Sequence, residues 1–210
     1  MISKEEKLNY KKTAAIILAA GKGTRFGGKK QFISLHGKYL YQHVLEKASD
    51  CIDIGNIVTV GVDIPGGSTR SESVRMGLKA LPSDTSRVVI LEAARPLVTR
   101  EQIQILIEDS WPSTSFVIPL VNTVVSRSGF YVDRSQYYDL LTPQAFNFSL
   151  LNKAYETGKY LDMTDETRVM YEEYNIKANF IETGDNLVKV TYPRDVAVIE
   201  SLIKDRGDLL

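Results

Sequence analysis

Four glycines and four basic residues fall within a short stretch near the start of the chain, where residues 18–31 read LAAGKGTRFGGKKQ. Side chains without bulk let backbone N–H groups come close to an anion. Glycine at positions 21, 23, 27 and 28 offers the positive φ angles that turn those groups inward. Arg25, Lys29 and Lys30 add the charge that a triphosphate requires. Two better-known glycine motifs are excluded, because Phe26 stands where the third glycine of G-x-G-x-x-G belongs and no Gly-Lys-Ser/Thr follows. Dehydrogenase and P-loop readings fall with them. On this segment alone the alternative is a merely flexible basic loop.

Such a loop needs rigid elements to aim it. Residues 13–19 (TAAIILA) are too short for a buried helix and predict a first central strand directly before the glycines. Further strands are predicted at 56–62, 87–92 and 115–120, with helices at 40–51 and 71–80 between them. Another helix opens at Thr99, where Gln102 is placed for a capping box. This alternation predicts an α/β fold: a Rossmann-like, mostly parallel sheet with helices on both faces. Residues 121–140 break the pattern with short β-prone runs around Ser128 and Gly129, and read as a β-arm projecting from the domain. Helices at 149–157 and 164–174, strands at 176–181 and 187–191, and a helix from Pro193 with Val196, Ile199 and Ile203 inward complete a single domain over 1–210.

Lys and Arg together number 26, as do Asp and Glu, so no overall field draws the chain to nucleic acid or an anionic membrane. An anionic ligand must therefore meet a local cluster of cations. Cys51 is the only cysteine, which excludes an internal disulfide and a thiolate metal cage and predicts a buried, inert thiol. The opening segment 1–12 is charged and polar, and no stretch reaches the ~20 apolar residues of a membrane span. A cytoplasmic protein is expected. His36 and His43 are assigned to surface or structural roles.

The loop is one of five blocks that occur in order. The others are GGSTRSESVRMGL at 66–78, AARP at 93–96, VDRS at 132–135 with LTPQAF at 141–146, and TDE at 164–166 followed by VKVT at 188–191 with Pro193 and Asp195. Together they span nearly the whole chain, and in this order they resemble the cytidylyltransferases typified by 2-C-methyl-D-erythritol 4-phosphate cytidylyltransferase, with ribitol-5-phosphate cytidylyltransferase a close relative. The resemblance implies a nucleotidyltransferase that joins CTP to a small phosphorylated polyol and releases pyrophosphate, with Mg²⁺ as cofactor. It implies that Ala19, Ala20 and Gly21 wall the cytosine, that Gly67 and Ser73 complete the base pocket, and that Gly23, Arg70 and Arg95 join the CTP contacts. Arg25 and Lys30 would hold the triphosphate, and Lys189 would bridge the two substrates' phosphates. Thr123 and Arg134 match positions that bind the acceptor's phosphate, Arg134 being offered to the neighbouring subunit of a homodimer.

Three departures from the family pattern bear on these expectations. Leu91-Glu92 replaces the usual His-Asp before Ala-Arg-Pro, which makes Glu92 the expected metal ligand, with Asp185 as the second. Few residues separate the strand at 56–62 from Gly66, so the sheet is expected to lack one edge element. The arm reads Asn122-Thr123-Val124-Val125 where the erythritol enzyme often has Asp-Thr-Ile-Lys. Methylerythritol phosphate is the expected acceptor. Ribitol phosphate, another polyol phosphate or a phosphonate stay open, as does a nucleotide-binding homologue without turnover.

Overall fold

A computed structural model of the chain describes residues 12–184 and 187–206. Strand β1 (Thr13–Leu18) is followed by a small hairpin, β2 (Ser34–Leu35) and β3 (Lys38–Tyr39), and then by α1 (Leu40–Ser49). Next come β4 (Ile57–Val60), α2 (Arg70–Ala80), β5 (Arg87–Glu92), α3 (Arg100–Glu108) and β6 (Ser113–Pro119). The chain continues through β7 (Tyr138–Asn147), α4 (Phe148–Glu156), α5 (Glu166–Tyr174), β8 (Asn179–Glu182) and α6 (Asp195–Arg206). Six strands form one sheet in the order β4-β1-β5-β7-β6-β8, all parallel except β7.

The central strands carry apolar residues at successive positions because both of their faces are covered. In β1, Ala15 and Ile17 join Val89 and Leu91 of β5 beneath α1 and α3, where Val44, Ala48, Ile103 and Leu106 pack. Ala14 and Ile16 join Val88 and Ile90 on the other face, against Val74 and Leu78 of α2, Tyr155 of α4 and Met170 of α5. A third cluster of Leu35, Leu40, Leu97, Val190 and Ile199 fastens the hairpin and α6 beside the sheet, with Val196 and Ile203 packed against it. Thr99 and Gln102 form the capping box that their spacing predicts.

The structure corrects the sequence reading in four places. Strand β7 is not the end of an arm but a ten-residue strand inside the sheet. Its signal is hidden by Pro143, which has no N–H to give: Phe116 pairs with Leu141 and Ser115 with Gln144, and the register shifts between them. The projecting segment is therefore shorter, ending before Tyr138, and its hairpin is held by Ser126 N–H to Phe130 O (2.8 Å) and Val132 N–H to Val124 O (3.2 Å). Residues 187–191 do not form a strand: Leu187 lies in a 3-10 turn and 188–191 have no regular secondary structure, Val190 N–H making one backbone bond, to Ala94 O. Cys51 is half-buried rather than buried, and burial together with neighbouring Asp50 raises its thiol pKa.

Strand β4 is an edge strand that leads directly to Gly66, as the short spacing predicts. The chain caps this edge itself, the Asp63 carboxylate accepting from Thr59 N–H at 2.7 Å. Ile90 is fully buried between sheet and helices, so Ile90→Ala should cost about 2–5 kcal/mol in urea denaturation. Ile54, in the turn before β4, is 60% exposed, and Ile54→Ala should stay within about 0.5 kcal/mol of the parent.

Candidate active site

Three connections converge at the C-terminal ends of β1, β4 and β5, the end of a parallel sheet where ligands bind. The sheet extends one residue past β1 on each side, through Ala19 N–H to Val60 O and Ala93 N–H to Leu18 O. The basic loop starts from that fixed point. Its turn closes on the Gly23 carbonyl, which accepts from the N–H groups of Phe26, Gly27 and Gly28 at 2.9–3.2 Å. Gly23 has φ +64°, and a Cβ there would lie 1.7 Å from Gly28 O, so no other residue fits. Gly27 also has positive φ, whereas Gly21 and Gly28 do not, which corrects the expectation for those two.

The facing wall is the start of α2. A Cβ on Gly66 would sit 2.1 Å from the Ala20 Cβ, so the two walls touch there only because Gly66 has no side chain. Ser73 Oγ accepts from Gly67 N–H (3.1 Å) and donates to Thr69 O (3.0 Å), fixing Gly67 against the helix. Thr69 caps α2 by accepting from Glu72 N–H, and its hydroxyl donates to Leu161 O. Between these walls lies a cleft of about 390 Å³.

The cleft gathers most of the residues singled out in the sequence. Ala19, Ala20, Gly21, Gly23, Gly67 and Ser73 line it, together with Arg25, Lys30, Arg70, Glu92 and Lys189. Arg25 is held 6.0 Å above the ring of Tyr192, a cation–π distance. The Lys30 ammonium donates to Val190 O. Asp195, at the start of α6, accepts from Thr191 N–H and Tyr192 N–H at 2.7 and 2.8 Å, which anchors the segment carrying Lys189.

Glu92 sits at the centre of this charge. Its Oε1 accepts from Arg70 Nε at 3.3 Å, and its Oε2 pairs with the Lys189 ammonium. Burial alone would raise its pKa, but Lys189 and Arg70 outweigh burial and bring it to about 2, so the carboxylate is ionised. Lys30 moves the other way. Burial and then the charge of Lys189 lower its pKa to about 8, against the weaker pull of Glu92.

Three expected site residues lie elsewhere. Arg95 is buried and does not line the cleft, because its guanidinium donates to Thr142 Oγ1 (3.0 Å) and Leu187 O. It braces the 187–191 segment instead of facing a ligand. Thr123 and Arg134 are exposed on the projecting segment, away from this chain's cleft, with Arg134 donating to Val121 O. Asp185 lies outside the described residues. Sequence reasoning gave no role to Glu166, which is fully buried and bound to Arg70, nor to Thr24, Gln31 and Thr191, which also line the cleft. A buried glutamate in a helix's first turn has the same local signature as a solvated one. Only the partner chain segment reveals it.

Comparison with known proteins gives this arrangement a context. Residues 62–205 match the family described as IspD: 2-C-methyl-D-erythritol 4-phosphate cytidylyltransferase. Proteins of that name from Caldicellulosiruptor bescii and Desulforamulus reducens are 34% and 29% identical to the chain, over 92% of its length and 98% and 96% of theirs. Among solved structures, 4-diphosphocytidyl-2C-methyl-D-erythritol synthase from Anaerococcus prevotii superposes with a TM-score of 0.78 at 22% identity, covering 92% of this chain and 96% of that one. The bifunctional IspDF from Campylobacter jejuni also gives 0.78, at 26% identity, over 89% of this chain and 53% of its own.

The depressed Lys30 pKa sets a pH limit. A lysine is charged below its pKa, so affinity of the free protein for a nucleoside triphosphate should be level below about pH 8 and weaken above it. Calorimetric titration across pH 6.5 to ~9.5 measures this, and Lys30→Ala should lack the inflection. An inflection unchanged in that variant would assign it to another group.

Proposed function

The chain belongs to the 2-C-methyl-D-erythritol 4-phosphate cytidylyltransferase family, and from that membership we propose that it joins the cytidylyl group of CTP to 2-C-methyl-D-erythritol 4-phosphate. The observation that carries the proposal is the convergence of Arg25, Lys30 and Lys189 on one small-residue cleft. In the reaction a lone pair on the acceptor's phosphate oxygen attacks the α-phosphorus. The bond from that phosphorus to the α–β bridging oxygen breaks, and pyrophosphate leaves with the electron pair. A phosphate monoester with a second pKa near ~6 is already ionised at neutral pH, so no general base is required. The remaining difficulty is bringing two polyanions into line, which is a matter of position and electrostatics.

The residues divide this work. Ala19, Ala20 and Gly21 face Gly67 and Ser73 across a slot suited to a flat base. Arg25 and Lys30 take the triphosphate and stabilise charge on the five-coordinate phosphorus. Lys189 pairs with Glu92 until phosphates arrive and then bridges donor and acceptor. No group of three or more His, Cys, Asp or Glu side chains that could hold a metal occurs among the described residues. Mg²⁺ is commonly held by one or two carboxylates plus substrate phosphates, and the ionised Glu92 at the cleft fits that pattern. Bound there, Mg²⁺ would neutralise the triphosphate and fix the geometry of its oxygens.

A homodimer through the projecting segment is part of the proposal. Val121, Phe130 and Tyr131 are 78%, 73% and 76% exposed, apolar surface of the kind that a second subunit covers, and Thr123 and Arg134 would then reach the neighbouring cleft. CTP is an intracellular metabolite, which favours a cytoplasmic enzyme.

The test measures pyrophosphate released from CTP and Mg²⁺ with a panel of acceptors that includes ribitol 5-phosphate. Methylerythritol phosphate should give the highest kcat/KM, and no release with any acceptor refutes the activity. Arg25→Ala and Lys30→Ala should each lower kcat by about 10²–10³ with an unchanged circular dichroism spectrum. Arg134→Ala should chiefly raise the acceptor KM, and mixing it with Lys30→Ala should restore part of the activity through hybrid dimers. No recovery on mixing contradicts the shared site.

A further inference from the structure

Glu166 takes no part in the chemistry above, yet it is a fully buried ionisable group beside the cleft. A buried carboxylate persists only with partners, and this one has three short bonds: 2.6 and 2.8 Å from Arg70 Nη1 and 3.0 Å from the Tyr155 hydroxyl. Burial raises its pKa, opposed first by the Arg70 charge. Its backbone is fixed from the sheet. The preceding residue, Asp165, caps α5 by accepting from Thr167 N–H (2.8 Å) and also accepts from Gln144 Nε2 (2.7 Å) in the middle of β7.

The consequence is transmitted by Arg70. With Nη1 committed to Glu166, its guanidinium has a set position at the start of α2 and offers Nε to Glu92 Oε1. The second oxygen, Oε2, is left to Lys189, whose side chain is 36% exposed and so free to exchange. An arginine without Glu166 would have Glu92 as its remaining partner and would turn its fork onto both oxygens, since bidentate pairing is the favoured geometry.

We propose that Glu166 is a positioning residue: by holding Arg70 it pins one oxygen of Glu92 and leaves the other as the single oxygen presented to a divalent cation in the cleft. The inference rests on Glu92 as the Mg²⁺ ligand. A purely structural glutamate would affect folding stability and leave cation binding untouched.

The experiment titrates Mn²⁺ into enzyme with CTP and follows free Mn²⁺ by electron paramagnetic resonance, for the parent, Glu166→Gln and Glu166→Asp. Thermal melting of each variant runs beside it. Glu166→Gln should weaken Mn²⁺ binding roughly ten- to a hundredfold, the usual effect of removing a group that orients a metal ligand. Glu166→Asp keeps the charge and should recover part of the loss. Parent-like Mn²⁺ affinity in folded Glu166→Gln overturns the inference, and failure of both variants to fold assigns Glu166 to stability alone and overturns it as well. If the parent enzyme with CTP binds no more Mn²⁺ than CTP alone does, the magnesium reading fails too, so the two failures are distinguishable.

Discussion

Positive charges crowd into one cleft only if something negative is buried among them. Two like charges ~4 Å apart repel by about 4 kcal/mol at an effective dielectric of ~20, and here Arg25, Lys30, Arg70 and Lys189 line the same cavity. Glu92 and Glu166 supply the opposing charge. Glu166 answers Arg70 from below, Glu92 joins Arg70 to Lys189, and the row of alternating signs runs from the buried helix end to the solvent side of the cleft. Lys30 stands outside that row, desolvated and beside Lys189, which is why its pKa falls to about 8. The compensation is incomplete at that end, and a polyanion entering the cleft completes it.

The fold follows from this requirement. Strands β1 and β5 are sealed on both faces, so the positions just past their ends, where the glycine loop departs and Glu92 stands, hold steady. Helix α2 brings Arg70 in from the adjacent connection. Strand β7 runs against the others through the centre of the sheet and delivers Gln144 to the cap of α5, the helix that carries Glu166. Each cation or acid in the row is thus set by a different element, and the sheet is what holds them in register.

Much of this was legible in the residues. The apolar run before the glycines, the capping pair Thr99 and Gln102, and the inward face of α6 depend on local spacing, which sequence displays directly. What stayed hidden depends on partners far along the chain. Thr142, Pro143 and Gln144 look like a turn, yet Gln144 is fully buried, its amide nitrogen donating to Ser115 and Asp165. Arg95 looks like a phosphate ligand beside Ala93 and Ala94, yet it turns inward to Thr142 and Leu187. Glu166 looks like an ordinary first-turn acid that favours a helix N-terminus. Its real partner, Arg70, is 96 residues earlier.

A crystal structure with CTP bound tests the central claim most directly. The account predicts the triphosphate between Arg25 and Lys30, with the Lys189 ammonium moved from Glu92 to a phosphate oxygen and Arg70 still held by Glu166. A triphosphate bound away from Arg25 and Lys30, with Lys189 unmoved from Glu92, would contradict it.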